Sequence, residues 1–217
     1  NIIDSAHKFG IKRLIIASSA AVYGDASDLP LKEESAGRCL SPYAQSKWEN
    51  ETQIMLAREN GVKGIALRFF NVYGPGQSMD GAYAAVIPKF VEMLTTGSRP
   101  IVHGDGLQSR DFVHVNDLVR AIESLLECNW DLVDSHAYNL ASQSQTTVLG
   151  LIELINTSIE KINPDFNTVE PTFEHSRKGD IRHSFADISK ITNTLNWTPS
   201  VELSQGIEEL VRMSLNQ

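Results

Sequence analysis

Residues 13–18, with the sequence RLIIAS, decide the fold of this 217-residue chain. Their apolar positions are almost continuous, as in parallel strands that are covered on both faces. Ser41 and Pro42 then form a strong helix start, with serine as the N-cap and proline at the first helical position. We expect a helix from Tyr43 to Glu59 and a second strand from Gly64 to Phe69. This strand–helix–strand alternation predicts a parallel α/β sheet.

The segments on either side extend this prediction. Residues 1–9 contain no initiator methionine and are typical of the end of a helix, which Gly10 stops. We therefore expect a preceding segment and the first strands of the sheet to be absent. Beyond Asn71, short strands mixed with helices predict a smaller α/β substrate-binding domain beside a Rossmann-like sheet. The predicted division assigns residues 1–72 and 109–145 to the Rossmann-like domain and residues 73–108 and 146–217 to the substrate domain.

Composition narrows the classes of protein to consider. A formal net charge of −8 argues against a large phosphate-tracking surface for nucleic acid. No apolar run reaches membrane-spanning length and no signal peptide is evident, so we expect a cytoplasmic protein without a membrane partner. Cys39 and Cys128 lie far apart in sequence, and the 6 histidines lack metal-ligand spacing. We therefore expect neither a disulfide framework nor a metal site.

Three side chains form the central candidate site: Ser19 at the end of the first strand, and Tyr43 and Lys47 on the following helix. Ligands of open α/β sheets gather at the carboxyl ends of the strands. Residues four apart share a helix face, so the phenol and the ammonium can act on one substrate. A nearby ammonium favours the phenolate form of a tyrosine, which can then accept a proton. The alternative is a chance Tyr-x-x-x-Lys pair on an amphipathic helix, because so short a pattern recurs often.

Six motifs occur in order and together span nearly the whole chain. They are SSAAVYG at 18–24, SPYAQSK at 41–47, RFFNVYGP at 68–75, RDFVHVND at 110–117, RKGD at 177–180 and LNWTP at 195–199. The chain thereby resembles the extended short-chain dehydrogenase/reductase family of nucleotide-sugar epimerases and dehydratases. It is most similar to the UDP-hexose 4-epimerases of that family.

The resemblance implies NAD as the cofactor and Ser19, Tyr43 and Lys47 as the catalytic residues. Tyr43 and Lys47 would also contact the cofactor, with Lys47 holding the nicotinamide ribose. The backbone around Phe70 and Val72 would face the nicotinamide end.

The resemblance also implies a UDP-sugar as the substrate. Guanidinium groups suit its diphosphate, because they bind phosphate through a rigid fork. Alternatives are surface pairing of Arg110 with Asp111 or Asp105, a turn cap at Asp180 and a strand-covering role for His103. The implied contacts are Asn71, Arg110 and Arg177 with the diphosphate, Ala85 and Val86 with the nucleotide, Ile101 and His103 with the uracil, and Asp180 with the ribose.

Within the family, one feature of the sequence favours a particular reaction and another favours a particular pair of substrates. Related dehydratases carry an acid beside the catalytic hydroxyl, whereas Ala20 and Ala21 follow Ser19 here. We therefore expect reversible oxidation at C4, giving epimerisation rather than elimination. Ser184 occupies the position that limits space beside the sugar in the epimerases, and residues 80–88 resemble those of N-acetylhexosamine epimerases. We expect UDP-GlcNAc and UDP-GalNAc as the substrate pair; UDP-glucose and UDP-galactose, or dehydratase, decarboxylase or reductase chemistry, are the alternatives.

The glycine-rich loop that cradles the NAD pyrophosphate in this family does not occur in the 217 residues. We therefore expect most of the NAD site to be missing, apolar surface to be exposed and the chain alone to be inactive. A non-catalytic nucleotide-sugar-binding fragment is the alternative from another class. The family dimerises through the helix that carries Tyr43 and the helix before it, so we expect a homodimer of the full-length protein.

Overall fold

A computed structural model describes residues 1–78, 85–177 and 179–216. Within these ranges, helices and strands alternate at the start of the chain, and the strands after Phe69 have no more than four residues. In chain order they are α1 Ile2–Lys8, β1 Arg13–Ser19, α2 Pro42–Glu59, β2 Lys63–Phe69, β3 Asn71–Tyr73, α3 Val86–Thr95, β4 Ile101–His103, β5 Ser109–Arg110, β6 Phe112–His114, α4 Val115–Glu127, β7 Ala137–Leu140, β8 Thr146–Thr147, α5 Val148–Ile162, β9 Thr172–Glu174, α6 Ser189–Leu195 and α7 Leu203–Leu215.

Helix α2 begins where the local sequence predicts. Ser41 has extended backbone angles, and its Oγ accepts a hydrogen bond from the amide of Ala44 at 3.1 Å. That bond satisfies one of the amides at a helix start that lack an intrahelical partner. The chain then turns at Gly61, whose φ of 86° lies in the left-handed region that glycine adopts readily, and enters β2. The observed helix extends the predicted one by a single residue, Pro42.

Strands β1, β2 and β7 form a parallel sheet with β2 in the centre. Ser19 lies opposite Phe69, and Phe69 lies opposite Leu140, so the carboxyl ends of the three strands meet at one edge. Helix α2 connects β1 to β2 and packs closely on them: a Cβ at Gly64 would lie 2.7 Å from Ile54. The predicted parallel α/β class is therefore confirmed.

Strand β1 is an edge strand of this sheet within the described residues. A groove of about 520 Å³ runs between β1, β2 and α4, and Ile15, Leu67 and Ile122 are among its lining residues. Ile2 and Phe9 at the two ends of α1 are 72% and 71% exposed. Apolar surface is therefore accessible on the β1 side of the sheet.

Three strand pairs lie beyond the sheet. β3 pairs in parallel with β6, with Asn71 opposite Phe112. β4 pairs in parallel with β9, and β5 pairs with β8 in the antiparallel sense. The pairing of β3 with β6 places Asn71, at the end of the sheet, beside the strand that follows Arg110.

The buried apolar side chains form two clusters. The first joins the sheet to α4 and α6, and the second joins α3, α5 and α7 to the short strands. In the second cluster, a Cβ at Gly206 of α7 would lie 2.4 Å from the Tyr73 hydroxyl, so only glycine fits there without a shift. Helix α6 packs in the first cluster through Ile191, although the predicted division places this helix in the substrate domain. That division stays a prediction.

Metal-binding groups and membrane spans are both lacking in residues 1–78, 85–177 and 179–216. No three histidine, cysteine, aspartate or glutamate side chains there gather closely enough to hold a metal ion. No helix in the same ranges is both long enough and apolar enough to cross a bilayer.

Candidate active site

Tyr43 and Lys47 lie one turn apart on the first half of α2. The Lys47 ammonium donates a hydrogen bond to the carbonyl oxygen of Ala17 at 3.0 Å. Its Nζ also lies 5.6 Å from the centre of the Tyr43 ring, within the range of a cation–π contact. Tyr43 is 45% exposed, so its phenol remains accessible to a ligand. The helix thus presents a phenol and an ammonium together at the end of β1.

Ser19 ends β1, two residues after the carbonyl group that binds Lys47. It is half-buried, and its Oγ accepts a hydrogen bond from the amide of Ala21 at 3.2 Å. That bond caps the 3₁₀ turn formed by Ala20–Tyr23. The hydroxyl can still donate its own proton, because an accepted bond leaves the O–H free to rotate. The structure therefore places Ser19 at the strand end against which the Tyr43 helix docks.

Phe70, Asn71 and Val72 follow β2 at the same edge of the sheet. The amide of Phe70 donates to Leu140 O at 3.1 Å, and the amide of Asn71 donates to Asp111 O at 3.0 Å. Phe70 is buried, Val72 is half-buried and Asn71 is exposed. Asn71 therefore projects from the position that connects the sheet to the Arg110 segment.

Arg110 and Asp180 are ion-paired. Arg110 Nη2 donates to Asp180 Oδ1 at 2.6 Å, and Nη1 donates to Ser109 O at 2.8 Å. The two side chains are 19% and 32% exposed. The alternative pairings do not occur, because Arg182 binds Asp105, and Asp111 accepts its bonds from Ser142 and Ala186. Two residues predicted to contact the substrate thus meet across 70 positions of sequence.

His103 and Arg177 are a second pair of predicted substrate-binding residues that contact each other. Arg177 Nη2 lies 2.7 Å from His103 Nε2. A guanidinium group has no acceptor, so this bond requires Nε2 to be the unprotonated nitrogen of His103 and Nδ1 to carry the proton. His103 Nδ1 lies 3.7 Å from Glu174 Oε2. Ile101, two residues earlier on β4, is 41% exposed, whereas Val102 between them is buried. Ile101 and His103 therefore share the open face of the strand.

Ser184 lies beside β5, the strand that contains Arg110. Its amide donates to Ser109 O at 3.1 Å, and the amide of Ser109 donates to Arg182 O at 2.9 Å. Ser184 is only 8% exposed. A bidentate pair holds the same segment from outside: Arg182 Nη1 and Nη2 donate to the two Asp105 carboxylate oxygens at 2.7 and 2.8 Å. This pair holds the pKa of Asp105 down, to about 2.

Ala85 and Val86 stand apart from these contacts. Val86 is the first residue of α3 and packs against the second apolar cluster, and Ala85 precedes it with extended backbone. Residues 80–84 of the stretch compared with N-acetylhexosamine epimerases lie outside the described residues, as does Lys178 of the RKGD motif. The roles assigned to Ala85 and Val86 stay predictions.

A buried polar network adjoins the helix that carries Tyr43 and Lys47, and the sequence alone did not indicate it. Glu51, fully buried, accepts hydrogen bonds from Arg68 Nε at 3.0 Å and Nη2 at 2.6 Å, and also from Ser18 Oγ. Arg68 Nη1 donates to the Tyr23 hydroxyl at 2.9 Å, and that hydroxyl donates to Asn139 Oδ1 at 2.6 Å. Burial raises the pKa of Tyr23 to about 12, against the lowering effect of Arg68. The available signal is spacing: Glu51 lies four residues after Lys47, on the same face of the helix.

Comparison with known proteins places the chain in a family. Residues 1–141 match the model of the NAD dependent epimerase/dehydratase family. The chain is 34% identical over 218 residues to the putative UDP-glucose 4-epimerase of Methanocaldococcus jannaschii, covering 100% of this chain and 67% of that protein.

Two solved structures resemble it closely. The UDP-N-acetylglucosamine 4-epimerase from Methanobrevibacter ruminantium M1, in complex with UDP-N-acetylmuramic acid, is 32% identical with a TM-score of 0.88; the match covers 99% of this chain and 66% of that one. The UDP-glucose 4-epimerase of Thermotoga maritima with UDP-glucose is also 32% identical, with a TM-score of 0.85, over 97% of this chain and 66% of that one. The chain thus spans about two thirds of the length of these relatives. The sequence resemblance is confirmed, and the chain belongs to the NAD-dependent epimerase/dehydratase family.

Proposed function

We propose that the protein interconverts UDP-GlcNAc and UDP-GalNAc by NAD-dependent epimerisation at C4 of the sugar. The observation that carries this proposal is the docking of α2 on the end of β1. The Lys47 bond to Ala17 O holds the helix turn that carries Tyr43 and Lys47 on β1, two residues before Ser19 ends that strand at the carboxyl edge of a parallel sheet. That edge is where such sheets bind ligands.

The residues at this edge fit the nicotinamide end of NAD. Lys47 is a cation on the same helix turn as an exposed phenol, and it can donate to ribose hydroxyls while keeping its bond to Ala17 O, because an ammonium has three donors. NAD supplies a hydride acceptor and donor when it is bound. Contacts to its pyrophosphate need the glycine-rich loop, which these 217 residues do not contain.

The proposed proton path uses the three catalytic residues. With NAD bound as the hydride acceptor, the Tyr43 phenolate would take the proton of the sugar O4 while C4 gave up its hydride, which would leave a C4 ketone. Ser19 hydrogen-bonds the same oxygen and keeps it within reach of Tyr43. Lys47 stabilises the phenolate electrostatically. Once the keto sugar had rotated to present its other face, Tyr43 would return the proton to O4 while C4 regained its hydride from the cofactor on that opposite face, so NAD and Tyr43 would both end the cycle unchanged.

The UDP part of the substrate is assigned to the second group of predicted residues. Arg110 and Arg177 would bind the diphosphate together with Asn71, and Asp180 would accept the ribose hydroxyls. Arg110 is already held by Ser109 O and Asp180, so little side-chain freedom is lost on binding. The adjacent pair of His103 and Arg177 supports a uracil contact along the open face of β4.

Ser184 supports the choice of an N-acetylated sugar. Its side chain is small, and its backbone is fixed to Ser109 beside Arg110. A larger side chain at this place would reduce the space next to the sugar. The likeness to a UDP-N-acetylglucosamine 4-epimerase supports the same choice. UDP-glucose and UDP-galactose are the second candidate pair, because the chain is also similar to a putative and a structurally solved UDP-glucose 4-epimerase.

We also propose that the full-length protein is a homodimer that pairs through α1 and α2. Both helices carry exposed apolar side chains: Ile2 on α1, and Met55 and Leu56 on α2, which are 42% and 54% exposed. Light scattering tests this part, and a monomer at micromolar concentration would contradict it.

The experiment is a proton NMR time course of the full-length protein with NAD⁺ and UDP-GlcNAc, repeated with UDP-glucose. We expect UDP-GalNAc signals to grow to equilibrium, and the Tyr43→Phe variant to bind UDP but form no product. Faster conversion of UDP-glucose would refute the sugar assignment. Saturation transfer to UDP-GlcNAc with no product from the unmodified protein would favour a non-catalytic nucleotide-sugar-binding chain.

A further inference from the structure

We infer that Glu51 and Arg68 are positioning residues, which hold the Tyr43–Lys47 face of α2 in register with Ser19. The inference rests on the proposed function, because it assigns these residues a role in the same site. Neither residue reaches the open edge of the sheet, and both are buried.

Glu51 continues the spacing of the catalytic residues by one more helical turn. Its carboxylate binds two partners from the sheet: the Ser18 hydroxyl and the Arg68 guanidinium. Ser18 is the residue before Ser19, and the residue before Ser18 supplies the carbonyl group that binds Lys47. Two successive turns of the helix are therefore tied to two successive residues of β1.

Arg68 extends this tie across the sheet. In the strand register, Ser18 lies opposite Arg68, and Arg68 lies opposite Asn139. The Tyr23 hydroxyl joins the last two, accepting from Arg68 and donating to Asn139. Arg68 also donates to Glu33 O at 2.7 Å. Burial alone would lower the pKa of Arg68, but its bonds to Glu51 raise it, so the guanidinium stays charged at neutral pH.

The row formed by Ser18, Arg68 and Asn139 lies one residue before the catalytic edge of the sheet. A buried ion pair with two-pronged geometry admits essentially one arrangement, because any other leaves a charge unpaired away from water. Helix α2 can therefore not slide or rotate against β1 without breaking it. Catalysis depends on such alignment, since a displacement of about 1 Å can cost about 100-fold in rate.

The first test measures amide hydrogen exchange on the unliganded protein. Glu51→Gln keeps the shape of the side chain and removes its charge; Glu49→Gln makes the same change on the exposed side of the same helix. We expect the amides of residues 44–48 to exchange roughly tenfold faster in Glu51→Gln, with those of α5 unchanged. Equal exchange in the two variants would overturn the inference, as would a uniform increase that includes α5.

The second test measures the two kinetic constants for UDP-GlcNAc in the full-length enzyme. We expect Glu51→Gln to lower kcat by about 100-fold and to leave KM within about twofold, because the substrate contacts lie elsewhere. If Glu51→Gln does not fold, Ser18→Ala replaces it, since this change deletes a single hydrogen bond to Glu51; a smaller loss in kcat is expected. An unchanged kcat in a folded variant would overturn the inference but would leave the proposed function standing. An inactive unmodified enzyme would refute the proposed function, and hydrogen exchange would still decide whether Glu51 and Arg68 hold the helix.

Discussion

Replacing Arg110 with glutamine should weaken UDP binding by roughly two orders of magnitude. In the structure, the Arg110 fork is held by Ser109 O at 2.8 Å and by Asp180 at 2.6 Å, and the side chain is only 19% exposed. Its remaining N–H groups are the proposed donors to the diphosphate. Two charge-assisted hydrogen bonds of about 1.5 kcal/mol each sum to about 3 kcal/mol, or roughly 150-fold in Kd.

A second effect acts in the same direction. Without Arg110, the Asp180 carboxylate loses its ion-pair partner and lies next to the bound phosphates. Arg110→Lys keeps the charge but cannot bind Ser109 O, Asp180 and a phosphate with one planar fork. We expect its affinity to lie between those of the unmodified protein and Arg110→Gln.

Isothermal titration of UDP at fixed ionic strength measures these affinities directly. Arg120→Gln is the matched control, because Arg120 is also partly exposed and paired, with Asp117 at 2.6 Å and Thr198 O at 2.8 Å, outside the candidate site. Its Kd should match that of the unmodified protein. A Kd of Arg110→Gln within twofold of that of the unmodified protein would contradict the assignment of Arg110 to the diphosphate, as would an equal loss of affinity in the control.

Three further predictions concern selectivity and stability. Ser184→Tyr should lower kcat/KM for UDP-GlcNAc at least roughly tenfold relative to UDP-glucose in the NMR assay, because it fills space beside the sugar; an unchanged ratio would contradict this. Gly206→Ala should lower the free energy of unfolding in urea by about 1–3 kcal/mol, since the new Cβ meets the Tyr73 hydroxyl; a rise of about 1 kcal/mol, as helix propensity alone predicts, would contradict it. Because burial raises the pKa of Tyr23 from 10.0 to about 12, the folded protein keeps this proton at a pH where the unfolded chain loses it. Stability should therefore fall as pH rises from 10 to 12, by on the order of 3 kcal/mol from this group, and urea titrations of Tyr23→Phe should lack that part of the fall.

The sequence predicts the sheet and helix α2 well because both depend on local signals. An apolar run marks β1, and Ser41 with Pro42 marks the start of α2 within one residue of its observed position. Lys47 follows Tyr43 by a helical turn, so a helix alone suffices to bring them together.

Contacts between distant segments are different. The pairing of Arg110 with Asp180 depends on how the 182–184 segment runs beside β5, which no local pattern records. The motifs indicated both residues but also allowed Arg110 to pair with Asp111 or Asp105. The structure shows why Arg110 pairs with neither aspartate: Asp111 is buried and accepts a hydrogen bond from Ser142, and Asp105 pairs with Arg182.

Buried charge is the feature that sequence reasoning missed. Glu51 and Arg68 look like ordinary charged residues of a helix and a strand, and charged residues are mostly exposed. Only the register that sets Ser18 opposite Arg68, with α2 above both, shows that they pair inside the protein. The i, i+4 spacing of Glu51 from Lys47 was the one available sign.

The most direct test of the account follows deuterium at C4 of the sugar. UDP-GlcNAc labelled with deuterium at C4 is incubated in ordinary water with the full-length protein and NAD⁺, and the product is examined by NMR and mass spectrometry. We expect UDP-GalNAc that retains the label at C4, because in the proposed epimerisation the hydride leaves and returns without exchange with solvent. Loss of the label to water, or no UDP-GalNAc at all, would contradict it.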